Sequence, residues 1–278
     1  MLPRRISQLA QPLRSPLHTS STPLHPTGSL RAAFCVIGDE ILNGKVHDSN
    51  SHYFARKCFN LGVALDKIDV VPDQHRSIAS TLKHLAHSHD FVFTSGGIGP
   101  THDDITYEAV AMAFAQPLAY HKETLERMHR IMKLRQTHVT LPDPNGSLQE
   151  VASARMALFP QQATVEYPCD KYWVPVVQIH NVHVFPGIPR LFEELLDAYL
   201  PTLVARMSNT PVRPFMRALV GTQLRESQIA PVLEEMQKKY ETMGVKLGSY
   251  PNWTPVPTEG AARQPLVVLS AVGSDRGI

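Results

Sequence analysis

Residues 95–106 read Ser95-Gly96-Gly97-Ile98-Gly99-Pro100-Thr101-His102-Asp103-Asp104-Ile105-Thr106. Three glycines and two adjacent carboxylates thus follow directly on the apolar run Phe91 to Phe93, which reads as a buried strand. Ile105 to Phe114 has helical apolar spacing, so the stretch links the carboxyl end of a strand to the start of a helix. Ligands of open α/β sheets collect at that end. Glycines let the backbone approach a phosphate closely and aim amide hydrogens at it near a helix N-terminus. Asp103 and Asp104 would repel that phosphate unless a hard divalent cation such as Mg2+, Mn2+ or Co2+ lay between, and carboxylate and phosphate oxygens are the ligands such ions favour. The bland alternative is that one of the two merely caps the next helix.

Outward from this loop, short apolar runs alternate with amphipathic segments, the pattern of βαβ units around a mostly parallel sheet. Strands are expected at Ala32 to Ile37, Val63 to Val70 and Phe91 to Phe93. Helices are expected from a cap at Asn50 to a stop at Gly62, from Ser77 with Ile78, Leu82 and Leu85 on one face, over Asp104 to Phe114, and over His121 to Arg135. Leu141 to Gly146 (LPDPNG) marks a loop, Gln149 to Leu158 reads as helical, and Val174 to Ile179 and Val182 to Phe185 flank His180-Asn181 as a hairpin or two adjoining strands. A helix over Leu191 to Val204 precedes a linker at Ser208 to Pro214 (SNTPVRP). The remainder reads β (Phe215 to Val220), α (Glu226 to Tyr240), β (Val245 to Ser249), β (Pro265 to Ala271), with Ile229, Val232, Leu233 and Met236 as the helix's apolar stripe. The expected division is 1–31 leader, 32–207 α/β domain and 213–278 small α+β domain.

The chain has 278 residues, 43% hydrophobic and 19% charged, enough for a sizeable core in one or two domains. No apolar run approaches the roughly 18 residues of a membrane-spanning helix, so no membrane partner is expected. Cys35, Cys58 and Cys169 are too few and scattered for a disulfide framework or a zinc site. The first 34 residues carry Arg4, Arg5, Arg14 and Arg31 and no acid before Asp39, with Ile6, Leu9, Leu13 and Leu17 near helical spacing. That is the description of an organellar transit peptide, so a mitochondrial location is expected, the alternative being a cytoplasmic protein with a disordered tail. The 27 basic residues less these four leave 23 against 25 acidic ones. The body therefore lacks the basic footprint of a nucleic-acid binder.

Two further segments deliver carboxylates to the same rim if the sheet is parallel. Gly38-Asp39-Glu40-Ile41-Leu42-Asn43-Gly44 follows the first strand, and Asp73 of Val71-Pro72-Asp73 follows the second. His84, His87 and His89 lie close together but lack partners at ligand spacing and read as solvated helix-end residues, whereas His102 either meets a phosphate or faces solvent.

Four motifs in order, GDEILNG at 38–44, VPD at 71–73, SGGIGPTHDDIT at 95–106 and FPGIP at 185–189, resemble the MoaB/Mog molybdopterin-binding family, in its CinA-type branch. ARMALFP at 154–160 and GSYP at 248–251 further resemble the molybdopterin-binding-like part of eukaryotic FAD synthases. The resemblance covers roughly 32–278 and implies a three-layer α/β domain followed by a small KH-like module. It does not imply RNA binding, because no GXXG clamp is evident. It also implies a pterin or nucleotide ligand, either bound or adenylylated as molybdopterin, or cleaved by divalent metal at a pyrophosphate bond of FAD or ADP-ribose. Tyr172 to Pro175 depart from the CinA pattern and favour the flavin-linked branch. No adenylyl-transfer motif follows, so FAD synthesis is not expected of this chain.

On those motifs the resemblance places functional roles, expected to be catalytic, at Asp73 and Asp104, and the phosphate chemistry of the rim puts metal ligation at Asp103, Asp104 and Asp39. Ligand contacts are expected at Gly38, Asp39, Asn43, Gly44, Asn50, Ser95, Gly96, Gly97, Gly99, Pro100, Thr101, Arg155, Pro186 and Gly187. A bound water would act as nucleophile, oriented by Asp73, with FMN and AMP as products from FAD. Molybdopterin as a ligand without hydrolysis is the competing expectation, and relatives often assemble, so a homo-oligomer is also open.

Overall fold

The computed structural model describes residues 29–134, 142–208, 213–252 and 265–274. Most of the arginine-rich leader, Leu141 of the LPDPNG loop and the middle of the 208–214 linker lie outside these residues.

The chain runs β1 (Arg31–Ile37), the one-turn α1 (Asp39–Leu42), α2 (Ser49–Asn60), β2 (Ala64–Val71), α3 (His75–Ser88), β3 (Phe91–Ser95) and α4 (Thr106–Ala113). There follow β4 (Leu118–Tyr120), α5 (Lys122–Leu134), α6 (Leu148–Ala154), β5 (Leu158–Pro160), β6 (Thr164–Glu166), β7 (Val176–Ile179), β8 (Val182–Phe185) and α7 (Pro189–Met207). The chain then forms β9 (Phe215–Thr222), α8 (Glu226–Tyr240), β10 (Lys246–Pro251) and β11 (Val267–Ser274).

The main sheet has the order β2-β1-β3-β8-β7-β6. Its β2-β1, β1-β3 and β3-β8 pairs are parallel, while β8-β7 and β7-β6 are antiparallel. Side chains alternate across a strand, and both faces of β1 are apolar. Ala32, Phe34 and Val36 enter one core with Phe54 of α2 and Phe192, Leu195, Leu196 and Tyr199 of α7. Ala33, Cys35 and Ile37 enter the other with Ile78, Leu82 and Leu85 of α3 and Tyr107 and Val110 of α4. A strand covered on both sides reads as a continuous apolar run, the mark of a parallel sheet between helical layers. Phe34 and Phe54 stack with centroids 4.7 Å apart, and Asp197 of α7 accepts from Tyr53 and pairs with Lys57 of α2, joining those two helices above the sheet.

His183 is 1% exposed, stacks on Phe93 with ring centroids 5.0 Å apart and shares a 3.0 Å hydrogen bond with the Tyr199 hydroxyl. Burial pushes its pKa down to about 3, so it is a neutral core residue.

Local chemistry moved several boundaries. The cap of α2 is Asp48, whose carboxylate accepts from Ser51 N, and Asn50 instead sits inside the helix with its side chain buried. Helix α4 starts at Thr106, because Asp104 is occupied within the preceding loop. The segment expected as helix over 149–158 turns through a single 3-10 turn at Arg155–Ala157 into β5, which pairs with β4. The 180–181 turn joins β7 and β8 as a hairpin, tied to α3 by Asn181 donating to the carbonyls of Ala86 and His89.

The small sheet is antiparallel, in the order β10-β11-β9. Its helix covers it only in part: Ile229 is buried, whereas Val232 is 60% exposed, so the expected stripe is wider than its cover. Among the described residues no helix is long and apolar enough to cross a membrane.

Candidate functional site

The loops after β1, β2, β3 and β8 meet at the carboxyl end of the parallel strands. Gly96 and Gly97 make the meeting close. Both have positive φ, at 110° and 65°, and a Cβ on Gly96 would clash with the Ile37 carbonyl oxygen. Thr106 fastens the loop from below, its hydroxyl donating to Gly96 O at 2.9 Å and its amide to Gly97 O at 2.9 Å. Asn50 Nδ2 donates to Ser95 Oγ and to Gly187 O, each at 2.9 Å, and Ser95 Oγ donates to Pro186 O at 3.2 Å. This ties α2, β3 and the turn after β8 together, so Asn50, Ser95, Pro186 and Gly187 converge as the motifs implied. Asn50 Oδ1 is buried and has no partner among the described residues, leaving an acceptor with unspent capacity at the centre of the tie.

The glycine loop divides its amides between structure and surface. Gly96 N donates to Phe185 O at 3.3 Å and Thr101 N to Asp104 Oδ2 at 3.0 Å. The amides of Gly97, Ile98 and Gly99 have no acceptor among the described residues. These three are the donors the loop can offer an anion.

The acidic residues fall into two groups. Asp73 is half-buried, and its Oδ2 accepts from Asp39 N at 2.8 Å, which holds α1 against the end of β2. Its pKa is raised by burial first and then by the negative charges of Asp39, Glu40 and Asp103, against the lowering effect of the Asp39 hydrogen bond. Those four carboxylates therefore share one field. Glu40, absent from the sequence-based set, belongs to it; its position inside GDEILNG was the available signal. Asp103 is exposed, and hydrogen bonds from the Thr101 hydroxyl and its own backbone amide lower its pKa.

Asp104 stands apart. Its Oδ2 accepts from the Thr101 amide, shares the single Thr101 hydroxyl hydrogen with Asp103, and closes the loop against Gly99. Arg155 supports the same loop, donating to Thr101 O at 3.1 Å and Asp104 O at 3.4 Å while pairing with Glu108 at 2.9 Å. Its guanidinium thus faces loop carbonyls and a carboxylate, and it positions the loop. Glu108 and Thr106 carry this support and were missed, since their partners are visible only in three dimensions.

Asn43 accepts from Lys45 N at 3.0 Å, and with Gly44 it forms an exposed turn after α1. Pro100 and Thr101 are exposed at the loop's tip, and His102 points into solvent with its side chain 98% exposed. Among the described residues no three His, Cys, Asp or Glu side chains are gathered closely enough to enclose a metal ion; His84 and His87 lie on α3 and His89 caps its end.

Comparison with known proteins follows the same division of the chain. Residues 33–205 match the family described as "Probable molybdopterin binding domain", and 214–268 match "FAD synthase, middle domain". A "Probable FAD synthase" of Caenorhabditis elegans is 32% identical over 79% of this chain and 43% of its own length. A "CinA-like protein" of Myxococcus xanthus is 32% identical over 72% of this chain and 47% of its own. The chain therefore spans less than half the length of these curated relatives. The crystal structure of the protein CinA from Thermoplasma acidophilum superposes with a TM-score of 0.53 at 23% identity, covering 63% of this chain and 98% of that one, a likeness of fold. With the matched residues spanning all the rim motifs from GDEILNG to FPGIP, the chain belongs to the MoaB/Mog-type molybdopterin-binding domain family, joined to a module of the FAD synthase middle-domain kind.

Proposed function

We propose that the rim cleaves the pyrophosphate bond of a dinucleotide such as FAD or ADP-ribose with the help of a divalent cation. The observation that carries this reading is the placing of Asp39, Glu40, Asp73 and Asp103 in one field beside the free amides of Gly97, Ile98 and Gly99. Four carboxylates would repel a diphosphate by themselves. The amides give the phosphates a neutral bed, and the carboxylates are hard oxygen donors for Mg2+, Mn2+ or Co2+.

The side chains do not form a closed cage. That fits an ion held by one or two carboxylates and completed by substrate phosphates, the usual habit of Mg2+. Asp39 and Asp103 are the residues to hold it, with Asp104 Oδ1 in reserve because Oδ2 is engaged by Thr101. When bound, the ion would neutralise charge on the pyrophosphate and lower the pKa of a coordinated water. Asp73, with its pKa raised, is suited to accept the proton as the water attacks phosphorus. Gly97 to Gly99 stabilise charge gathering on the phosphoryl oxygens, and Arg155 with Thr106 keeps those amides in place. From FAD the products would be FMN and AMP, from ADP-ribose AMP and ribose phosphate.

A second reading draws on the same open arrangement: the amides bind a pterin phosphate or nucleotide, molybdopterin included, and no bond is broken. Incubation with FAD and ADP-ribose, with each cation or with chelator, and separation of the products decides between them. AMP released only with cation supports hydrolysis. Saturable ligand binding with no AMP released under any cation supports the second reading. A mitochondrial address and a homo-oligomeric state belong to the same proposal and are read by localising a C-terminally tagged chain and by light scattering.

A further inference from the structure

At the end of edge strand β2 away from the acidic rim, α2 and the start of β2 face the small antiparallel sheet across a cavity of about 650 Å³. Its walls combine two kinds of side chain. Phe59 and Phe215 meet with ring centroids 5.8 Å apart, and around them stand His52, Arg56, Arg217 and Lys246. No acidic residue lines it. Among the described residues Arg56, Arg217 and Lys246 make no ion pair within 4.0 Å. Their neighbour Lys57, on the same helix, is by contrast paired with Asp197 at 2.6 Å. Arg217 is nonetheless held, its guanidinium lying 5.0 Å from the centre of the Phe59 ring.

We propose that this cavity is a binding site for an aromatic monophosphate, of the nucleoside monophosphate class, separate from the rim. Its volume falls within the range of small-molecule pockets, roughly 300 to 1,000 Å³, and exceeds what a bare inorganic anion needs. Three cations without carboxylate partners converge on it, so the phosphate finds charge that no protein anion has neutralised. Phe59 and Phe215 supply apolar surface for a planar base, and Arg217, stacked on Phe59, lies where base and phosphate would join. Because three strands of the small sheet and α2 of the main domain both contribute walls, an occupant would also bridge the two units. The site uses none of the rim residues and stands whether or not the rim hydrolyses anything.

Calorimetric titration of the full chain with AMP, in chelator so that no cation assists the rim, tests this. Saturable binding is expected, weakened about tenfold or more in Arg56→Ala/Arg217→Ala and unchanged in Asp73→Asn. Arg56 and Arg217 are exposed, so an unchanged thermal melt is expected for the double variant. Inorganic phosphate should bind more weakly than AMP, and Phe59→Ala should narrow that difference. The proposal is overturned by no saturable AMP binding, by AMP affinity indifferent to the double substitution, or by inorganic phosphate binding as tightly as AMP. It is equally overturned if a single-stranded oligonucleotide binds far more tightly than AMP through the same arginines, with the steep salt dependence of phosphate-backbone contacts.

Discussion

The rim meets α2 at Asn50, the cavity is walled by the helix face from His52 to Asn60, and the two differ in almost every physical respect. The rim is acidic, and its loop is fastened by hydrogen bonds from Thr106, Arg155 and Asn50 and by the Thr101 amide donating to Asp104. The cavity is basic and aromatic, and among the described residues Arg56, Arg217 and Lys246 make no ion pair. An anion can approach the cavity directly but needs a cation at the rim. The difference teaches that geometric fixing is spent where bonds would be made and broken, while simple charge suffices where a ligand is only held.

Substitutions at the rim should leave the cavity untouched, and this is where the comparison can be broken. Gly96→Ala carries the largest expected effect, because a Cβ there collides with backbone and the φ of 110° is strained for alanine. A loss of roughly 3 kcal/mol or more in urea unfolding is expected, together with loss of rim activity. If AMP affinity at the cavity falls in the fraction still folded, the two sites are not separate. Next is Arg155→Ala, which frees Thr101 O and Asp104 O and leaves Glu108 unpaired. Turnover about tenfold lower with AMP affinity unchanged would sharpen the contrast, whereas unchanged turnover would show that the loop holds itself.

His183 offers a control that touches neither site. Its pKa is depressed to about 3 by burial, so below about pH 6.5 the unfolded chain binds a proton that the native chain refuses. Its share of stability is therefore complete above pH 6.5 and declines as the pH falls towards 3, by up to about 1.4 kcal/mol per pH unit. His183→Gln should lower the melting temperature at pH 7 and flatten the slope between pH 6.5 and 5. A slope as steep as in the parent would assign it to other groups. The smallest effect is expected from Glu40→Gln, which removes one of the charges raising the pKa of Asp73. The acid limb of the rim's pH profile should shift to lower pH, by a fraction of a unit, and a shift upward would contradict the shared field.

Much of the fold was legible because both faces of the sheet are covered. The runs at 32–37 and 91–93 are apolar without interruption, and Ile78, Leu82 and Leu85 keep helical spacing, so the periodicities declared themselves. The short strands β4, β5 and β6 were not legible, since three residues carry no period. At the rim, the convergence of 38–44, 71–73 and 95–106 followed from parallel topology, and 185–189 joined them through the family resemblance. What each carboxylate does there did not, because Asp103 and Asp104 are adjacent in sequence, and only the fold leaves the first exposed and turns the Thr101 amide onto the second. The cavity was invisible for the same reason: Arg56 and Arg217 are ordinary surface cations until the fold brings them together.

The central claim is that the acidic cluster around Asp73 works with the glycine-loop amides to cleave a pyrophosphate. It is tested most directly by measuring AMP release from FAD, with saturating divalent cation, for the parent chain and Asp73→Asn. The account predicts cation-dependent release of AMP and FMN in equal amounts by the parent and a rate at least about a hundredfold lower in the variant, the range of a lost general base, with its thermal melt preserved. Equal rates for the two proteins, or no AMP from the parent with any of the three cations, would contradict it.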